Sequence, residues 1–162
     1  MVCSMKRIGY TERIERIMII ETYSDRETFD FGLHLGEKAE KGAIFCLDGD
    51  LGTGKTVIAK GIASGLGITE PVSSPTFTVV KEYTEGRLPL YHFDVYRIED
   101  PAEMEEIGYE DYFFGNGVTV IEWADMIGSL IPKEAVRIRL KKDASKGYDY
   151  RSIEILSQTN QH

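Results

Sequence analysis

Residues 43–56 read AIFCLDGDLGTGKT, an apolar run that leads directly into a glycine-rich loop. The last eight residues match the pattern G-x-x-x-x-G-K-S/T of a phosphate-binding loop. Glycines allow the chain to turn sharply, and the amide groups of such a loop point at an anion from the N-terminus of a helix. Because apolar residues at helical spacing follow the loop, the sequence predicts a strand, a nucleotide-binding loop and a helix in succession.

The loop also predicts which residues surround a bound nucleotide. The Lys55 ammonium is expected to reach the β- and γ-phosphates, and the Thr56 hydroxyl is expected to ligate Mg²⁺. ATP and Mg²⁺ are therefore the expected cofactors. The predicted nucleotide-binding residues are Asp50, Leu51, Gly52, Thr53, Gly54, Lys55, Thr56, Val57 and Trp123.

The rest of the chain alternates apolar strands with helices. A capping box at residues 24–27 begins one helix, with Phe29, Leu33 and Gly36 on one face. Asp100, followed by a proline, predicts the start of another helix. Strands are predicted at residues 17–20, 43–47, 77–83, 88–94, 118–121, 136–140 and 152–156.

This alternation predicts an α/β fold, a three-layer sandwich like that of P-loop NTPases. Its central sheet is expected to be mainly parallel, with an antiparallel hairpin near the C-terminal end. Residues 1–16 lack a clear period and are expected to form a flexible N-terminal extension. Residues 17–157 are then a single P-loop ATPase domain, and residues 158–162 are a C-terminal tail.

Composition limits the classes of function. The 162 residues are 42% apolar and 28% charged, which is typical of a globular domain. No apolar run approaches the roughly 20 residues of a membrane span, and no signal peptide is apparent. The net charge of −8 disfavours a surface that binds nucleic acid by itself. Cys46 is expected in the core and Cys3 in a loose end, so we expect no disulfide and a cytoplasmic location.

Two acidic residues each end a predicted strand, where a carboxylate can hold Mg²⁺ or orient water beside a phosphate-binding loop. These residues are Glu122 and Asp94. Together with Lys55 they are the candidate catalytic residues, and Glu122 with Thr56 is the candidate pair of metal ligands. A solvated strand end is the alternative interpretation for either acid.

Four further features have a structural alternative to a functional role. Trp123 is either core filler or a wall of the nucleotide or partner site. Residues 74–77, SPTF, are either a turn or a switch loop. Arg97 is either an arginine finger or a member of a surface salt bridge. His92 is expected to be a packed or exposed strand residue rather than a catalyst.

Four segments, in this order, resemble the signature of the TsaE (YjeE) family. The loop alone is generic, whereas the other three segments are specific in so short a chain. The resemblance covers about residues 18–156. The segments are GDLGTGKT at 49–56, SPTF at 74–77, HFDVYR at 92–97 and EWAD at 122–125.

The resemblance implies the ATPase component of bacterial tRNA threonylcarbamoyladenosine synthesis, working with the TsaB and TsaD proteins. In that family TsaD transfers the threonylcarbamoyl group to the adenosine 3′ of the anticodon in tRNAs that read ANN codons. ATP hydrolysis supports assembly and turnover, and tRNA is contacted mainly through the complex. By position, Lys55 would bind phosphates, Thr56 and Glu122 the metal, Asp94 would support the hydrolytic site, and Trp123 would lie beside the nucleotide or a partner.

Three other functions remain open at this stage. A small-molecule kinase needs a lid that excludes water, and the candidate lids here are short and poor in basic residues. A GTPase is disfavoured because no Asn-Lys-x-Asp sequence occurs. A nucleotide-gated binding module without significant hydrolysis would differ from a partner-stimulated ATPase only when partners are added.

Overall fold

The computed structural model describes residues 2–10 and 13–158. Within them, eight strands form one sheet: β1 (Val2–Tyr10), β2 (Arg13–Thr22), β3 (Ile44–Asp48), β4 (Val80–Tyr83), β5 (Leu90–Asp94), β6 (Val118–Glu122), β7 (Val136–Lys141) and β8 (Arg151–Gln158). Their order across the sheet is β1-β2-β8-β7-β3-β6-β5-β4. The four central strands β7, β3, β6 and β5 run parallel, and the strands on both sides of them pair antiparallel. The predicted α/β fold with a parallel core and a β7–β8 hairpin is confirmed.

Helices cover both faces of this sheet. They are α1 (Asp25–Lys38), α2 (Lys55–Gly65), α3 (Glu103–Ile107) and α4 (Tyr109–Phe113), with 3-10 helices at Ala124–Leu130 and Ala144–Lys146. One apolar cluster joins α1 and α2 to the sheet, and a second joins α3, α4 and the first 3-10 helix to the opposite face. Three layers result, as predicted. None of the helices in the described residues is long and apolar enough to cross a membrane.

The strand β3 shows why both faces must be covered. All five of its residues are buried. Phe45 and Leu47 belong to the cluster under α1 and α2, whereas Ile44 and Cys46 belong to the cluster on the other face. This two-sided burial is typical of a central parallel strand. Cys46 is a core residue as predicted, and burial raises the pKa of its thiol to about 12.

Glycines allow α1 and α2 to approach each other closely. A Cβ atom added at Gly61 of α2 would collide with the backbone of α1, and one added at Gly36 of α1 would collide with α2. Of the three residues predicted on one face of α1, Phe29 and Leu33 approach Gly61 through their backbone and Gly36 also contacts α2, whereas the side chains of Phe29 and Leu33 are half-buried. The buried residues of α1 are Thr28, Phe31, Gly32 and Gly36.

The N-terminal residues differ from the expected extension without regular structure. The structure has β1 at Val2–Tyr10 and begins β2 at Arg13, four residues before the predicted strand. β1 pairs with β2, and β2 pairs with β8, through the backbone. Backbone pairing needs no apolar period, so the side-chain pattern did not reveal it. Residues 159–162 of the predicted tail lie outside the described residues, and the limits of the domain at 17 and 157 stay a prediction.

Two other boundaries shift by a few residues. The strand predicted at 77–83 begins at Val80, because Val79 has a left-handed φ of 67° that bends the chain. The helix predicted from Asp100 begins at Glu103. The Asp100 carboxylate instead caps the preceding turn by accepting a hydrogen bond from the backbone N–H of Ala102 at 3.0 Å.

Candidate nucleotide site

The glycine-rich loop connects the carboxyl end of β3 to the first turn of α2. Gly49, Gly52 and Gly54 all have positive φ angles, of 152°, 76° and 102°. Glycine adopts such angles without steric cost, which explains the residue type at these places. The Thr53 hydroxyl donates to the backbone carbonyl of Asp50 at 2.8 Å and closes the turn from inside.

The N-terminus of α2 is open to an anion. Among the described residues no side chain caps it, and its first turn contains no acidic residue. The free amide groups and the helix dipole at such an end attract negative charge. The sequence therefore builds an anion-binding helix end directly after the loop.

Lys55 lies folded over the loop. Its Nζ donates to the carbonyls of Gly49 and Asp50 at 2.7 and 2.9 Å, and it lies 3.9 Å from the centre of the Trp123 ring. Burial lowers the pKa of Lys55, although neighbouring carboxylates, first among them Glu122, act in the opposite direction. Lys55 is 5% exposed, so its charge lies at the loop with little contact with solvent.

Glu122 connects two strands and one helix: β6, β5 and α2. It ends β6, is 2% exposed, and accepts the Thr56 hydroxyl at 2.8 Å through Oε1. Its Oε2 lies 2.6 Å from Nε2 of His92 on β5. Burial alone would raise the pKa of Glu122, but the hydrogen bonds from His92 and Thr56 outweigh burial and lower it. The carboxylate is thus held ionised at the end of the loop.

Asp94 lies beside Glu122 in the sheet, because β5 and β6 are parallel and these two residues are register partners. Its Oδ2 accepts the Ser74 hydroxyl at 2.6 Å and the Thr76 hydroxyl at 3.5 Å. Its Oδ1 accepts the backbone N–H of Tyr96 at 3.1 Å. Asp94 therefore connects the strand end to the segment 74–77.

Trp123 packs against Tyr96, whereas Arg97 packs against Phe77. Trp123 has a left-handed φ of 63°, which a residue with a bulky side chain rarely adopts, and its ring packs against that of Tyr96 at a tilt of 49°, with 4.8 Å between the ring centres. Arg97 lies over the ring of Phe77 at 4.6 Å, and Phe77 is 85% exposed. Neither the predicted salt bridge nor an approach to the loop is seen for Arg97 in the described residues.

A cavity of about 410 Å³ gathers most of the predicted residues. Of the predicted nucleotide-binding residues, Asp50 and Thr53 are outside its lining: Asp50 borders a second cavity behind the loop, and Thr53 is buried. The segment 74–77 contributes Ser74 and Thr76. The other predicted residues that line it are Leu51, Gly52, Gly54, Lys55, Thr56, Val57, Asp94, Glu122 and Trp123.

The residues at the end of the loop suit Mg²⁺. Thr56 and Glu122 supply oxygen atoms that already contact each other at 2.8 Å. Mg²⁺ prefers oxygen ligands and is usually held by one or two protein groups, phosphate oxygens and water. Among the described residues, no group of three or more His, Cys, Asp or Glu side chains could hold a metal ion.

Sequence reasoning missed two residues of this region. His92 is a packed strand residue as expected, but it is fully buried and bonded to Glu122. Its position two residues before Asp94 puts both on one face of β5, which is a signal that the sequence contained. Arg151 also lines the cavity, and its side chain contacts the loop. It lies about a hundred residues from the loop in the sequence, so no local pattern pointed to it.

A parallel sheet with a glycine-rich loop between a central strand and the following helix defines the class of P-loop α/β proteins. The family model described as "Threonylcarbamoyl adenosine biosynthesis protein TsaE" matches residues 22–153. The chain belongs to the TsaE family, which takes part in tRNA threonylcarbamoyladenosine biosynthesis.

Individual relatives agree with this assignment. The chain is 48% identical to the tRNA threonylcarbamoyladenosine biosynthesis protein TsaE of Bacillus subtilis over 124 residues, 76% of this chain and 75% of that protein. It is 38% identical to the protein of the same name from Haemophilus influenzae over 121 residues, 75% of this chain and 74% of that one. The crystal structure of Bacillus subtilis YdiB superposes with a TM-score of 0.76 at 38% identity, covering 90% of this chain and 88% of the other.

Proposed function

We propose that this chain is a cytoplasmic P-loop ATPase required to form the threonylcarbamoyl group on the adenosine 3′ of the anticodon in tRNAs that read ANN codons. It would support assembly and turnover of a complex of the TsaB and TsaD proteins, and would contact tRNA mainly through that complex. The observation that carries the ATPase proposal is the contact of Thr56 with Glu122 at the end of a glycine-rich loop, with Lys55 folded over the same loop. Membership of the TsaE family supports the pathway.

In this proposal the loop binds the phosphates of ATP. The amide groups at the N-terminus of α2 face the β- and γ-phosphates, and the Lys55 ammonium leaves its two loop carbonyls to pair with them. Phosphate oxygens are better partners for a buried ammonium than neutral carbonyls, because both partners are then charged. Leu51, Val57 and Trp123 would form apolar walls of the same cavity.

Thr56 and Glu122 would hold Mg²⁺, which neutralises negative charge between the phosphates when it is bound. The lowered pKa of Glu122 suits this role, because the carboxylate stays ionised at neutral pH. Asp94 is the second carboxylate at the same edge and would orient water or support the metal. The hydrogen bond between His92 and Oε2 of Glu122 would hold this carboxylate in its orientation.

Residues 74–77 are proposed to respond to the γ-phosphate. The Ser74 and Thr76 hydroxyls both donate to Asp94, so a change of Asp94 partners on hydrolysis would release the segment. Phe77 is exposed, and its ring contacts Arg97. Movement of this pair would therefore transmit the change to the surface. Arg97 is engaged there, away from the cavity lining, so we expect slow hydrolysis by the chain alone and faster hydrolysis with partners.

The test is ATP hydrolysis by the purified chain, first alone and then with TsaB, TsaD and tRNA. We expect stimulation by the partners, and loss of it in Lys55→Ala and Glu122→Ala. Unchanged turnover with no detectable complex would contradict the role in the pathway. Transfer of phosphate from ATP to an added metabolite would instead identify a kinase.

A further inference from the structure

Arg151 begins β8 and is 8% exposed, outside every motif of the sequence. Its guanidinium donates to four backbone carbonyls in two segments. Nε donates to Thr53 at 2.8 Å and Nη2 to Gly52 at 3.4 Å; Nη1 donates to Tyr148 at 2.9 Å and to Tyr150 at 2.7 Å. Burying a charged group is costly unless its hydrogen bonds are satisfied. A buried cation whose acceptors are all backbone carbonyls therefore fixes the backbone around it.

The contact with Thr53 controls an amide group of the loop. A trans peptide bond is planar, so the carbonyl of Thr53 and the N–H of Gly54 point in opposite directions. Holding the Thr53 carbonyl toward Arg151 turns the Gly54 N–H away from the guanidinium. Gly54 has a φ of 102° and lines the cavity. Because glycine adopts a wide range of φ angles, Gly54 lets this peptide flip at little cost, so a hydrogen bond to the Thr53 carbonyl decides its orientation.

The contacts with Tyr148 and Tyr150 tie the loop to a second segment of the cavity lining. Tyr148 and Asp149 belong to that segment, and Tyr148 is 91% exposed. The same guanidinium thus holds two segments that are separate in the sequence. The planar fork of arginine suits this geometry, whereas the single ammonium of lysine does not.

We propose that Arg151 is a positioning residue for nucleotide binding. It fixes the peptide between Thr53 and Gly54 with its amide available to phosphate, and it holds the segment Tyr148–Tyr150 against the loop. This role rests on the proposed ATP-binding function. Arg151 touches the backbone of the loop rather than the nucleotide, and it acts by forming the loop before the ligand arrives.

The chain offers a matched control in Arg87. Its Nη2 also donates to backbone carbonyls, those of Gly36, Glu37 and Ala39 at the end of α1, remote from the loop. Arg87 is exposed whereas Arg151 is buried, but Arg87→Met likewise removes hydrogen bonds from an arginine to the backbone, and Arg87 does not line the cavity. If Arg151 only anchored the backbone, Arg151→Met would leave nucleotide binding and loop exchange unchanged, as Arg87→Met should.

The experiment compares the wild type with Arg151→Met, Arg151→Lys and Arg87→Met. Binding of ATP with Mg²⁺ is measured by calorimetry, and amide hydrogen exchange of residues 52–56 is measured without nucleotide. We expect Arg151→Met to weaken binding about tenfold and to speed exchange in the loop. Arg151→Lys should fall between it and the wild type, and Arg87→Met should change neither quantity.

Equal affinity and equal loop exchange in Arg151→Met and Arg87→Met would overturn the proposal. If Arg151→Met does not fold, the same comparison is made with Arg151→Lys, and wild-type values in that variant would overturn it. If the wild type binds no ATP, the proposed function fails, whereas the exchange comparison still decides whether Arg151 orders the loop.

Discussion

The two helices α1 and α2 pack on each other but begin in opposite ways. At the start of α1, the Ser24 hydroxyl accepts the backbone N–H of Glu27 at 3.1 Å, and the Glu27 carboxylate accepts the N–H of Tyr23 at 3.1 Å. Asp25 adds a second acid to the first turn. At the start of α2 there is no side-chain cap and no acid, only a glycine and a lysine.

This difference divides helix capping from anion binding within one helix pair, although Asp25 at the start of α1 also lines the cavity. A capping box satisfies amide groups that would otherwise be unpaired, and the acids complement the helix dipole. The start of α2 leaves both the amide groups and the dipole for an external anion. The helix end without a cap, that of α2, is therefore the one at the proposed site. The predictions below test this separation from its strongest consequence to its weakest.

The largest expected effect is at Lys55. Lys55→Met removes the one cation in the first turn of α2 and should weaken binding of ATP with Mg²⁺ about 1,000-fold, or about 4 kcal/mol. Burial lowers the pKa of Lys55, so its charge is disfavoured by the fold, and the substitution should not reduce the free energy of unfolding. Calorimetry and urea denaturation measure the two quantities. Loss of stability in parallel with affinity would show that Lys55 serves the fold instead.

The next effect concerns the contact between the helices. Gly61→Ala puts a methyl group against the carbonyl of Phe29, which is backbone and cannot move alone. We expect a loss of about 2 to 3 kcal/mol of unfolding free energy, as for overpacked cores. Gly128→Ala is the control, because a Cβ atom there meets nothing within 4 Å. Equal stability of the two variants would mean that α1 and α2 separate easily.

The sequence predicted the features that neighbouring residues encode. The loop, the capping box and the acids that end β5 and β6 are each local patterns of this kind. In the structure Asp94 and Glu122 lie side by side, because β5 and β6 are parallel and end at one edge. Such patterns depend on the local backbone geometry, so the folded structure agrees with them.

The remaining parts depend on residues far apart in the chain. The His92–Glu122 bond joins two strands 30 residues apart, and the Arg151 contact reaches Thr53 across 98 residues. The close contact of α1 with α2 is also of this kind, because glycines rather than large apolar residues make it. An apolar period cannot report a close backbone approach, since glycine contributes no hydrophobic side chain.

A smaller effect is expected at the capped end of α1. Ser24→Ala removes the acceptor for the Glu27 N–H and should lower the free energy of unfolding by about 1 kcal/mol. ATP affinity should equal that of the wild type, the reverse of the result at Lys55. Urea denaturation and calorimetry on the same samples check both values. A drop in affinity would contradict the separation of roles between the two helix ends.

The smallest expected effect is the pH dependence of stability that Lys55 contributes. Burial lowers the pKa of Lys55 from the ordinary 10.5, and the carboxylates around it, led by Glu122, offset part of that change. Between the lowered pKa and 10.5 the unfolded chain binds more protons than the folded one, so the free energy of unfolding rises with pH in this window. Lys55→Met lacks the titrating group, so its stability should fall relative to that of the wild type as pH increases through the window. Urea denaturation of both proteins from neutral pH to about pH 10.5 measures the difference. A difference independent of pH would mean that the fold does not disfavour the charge, and that the open end of α2 accommodates its lysine without cost.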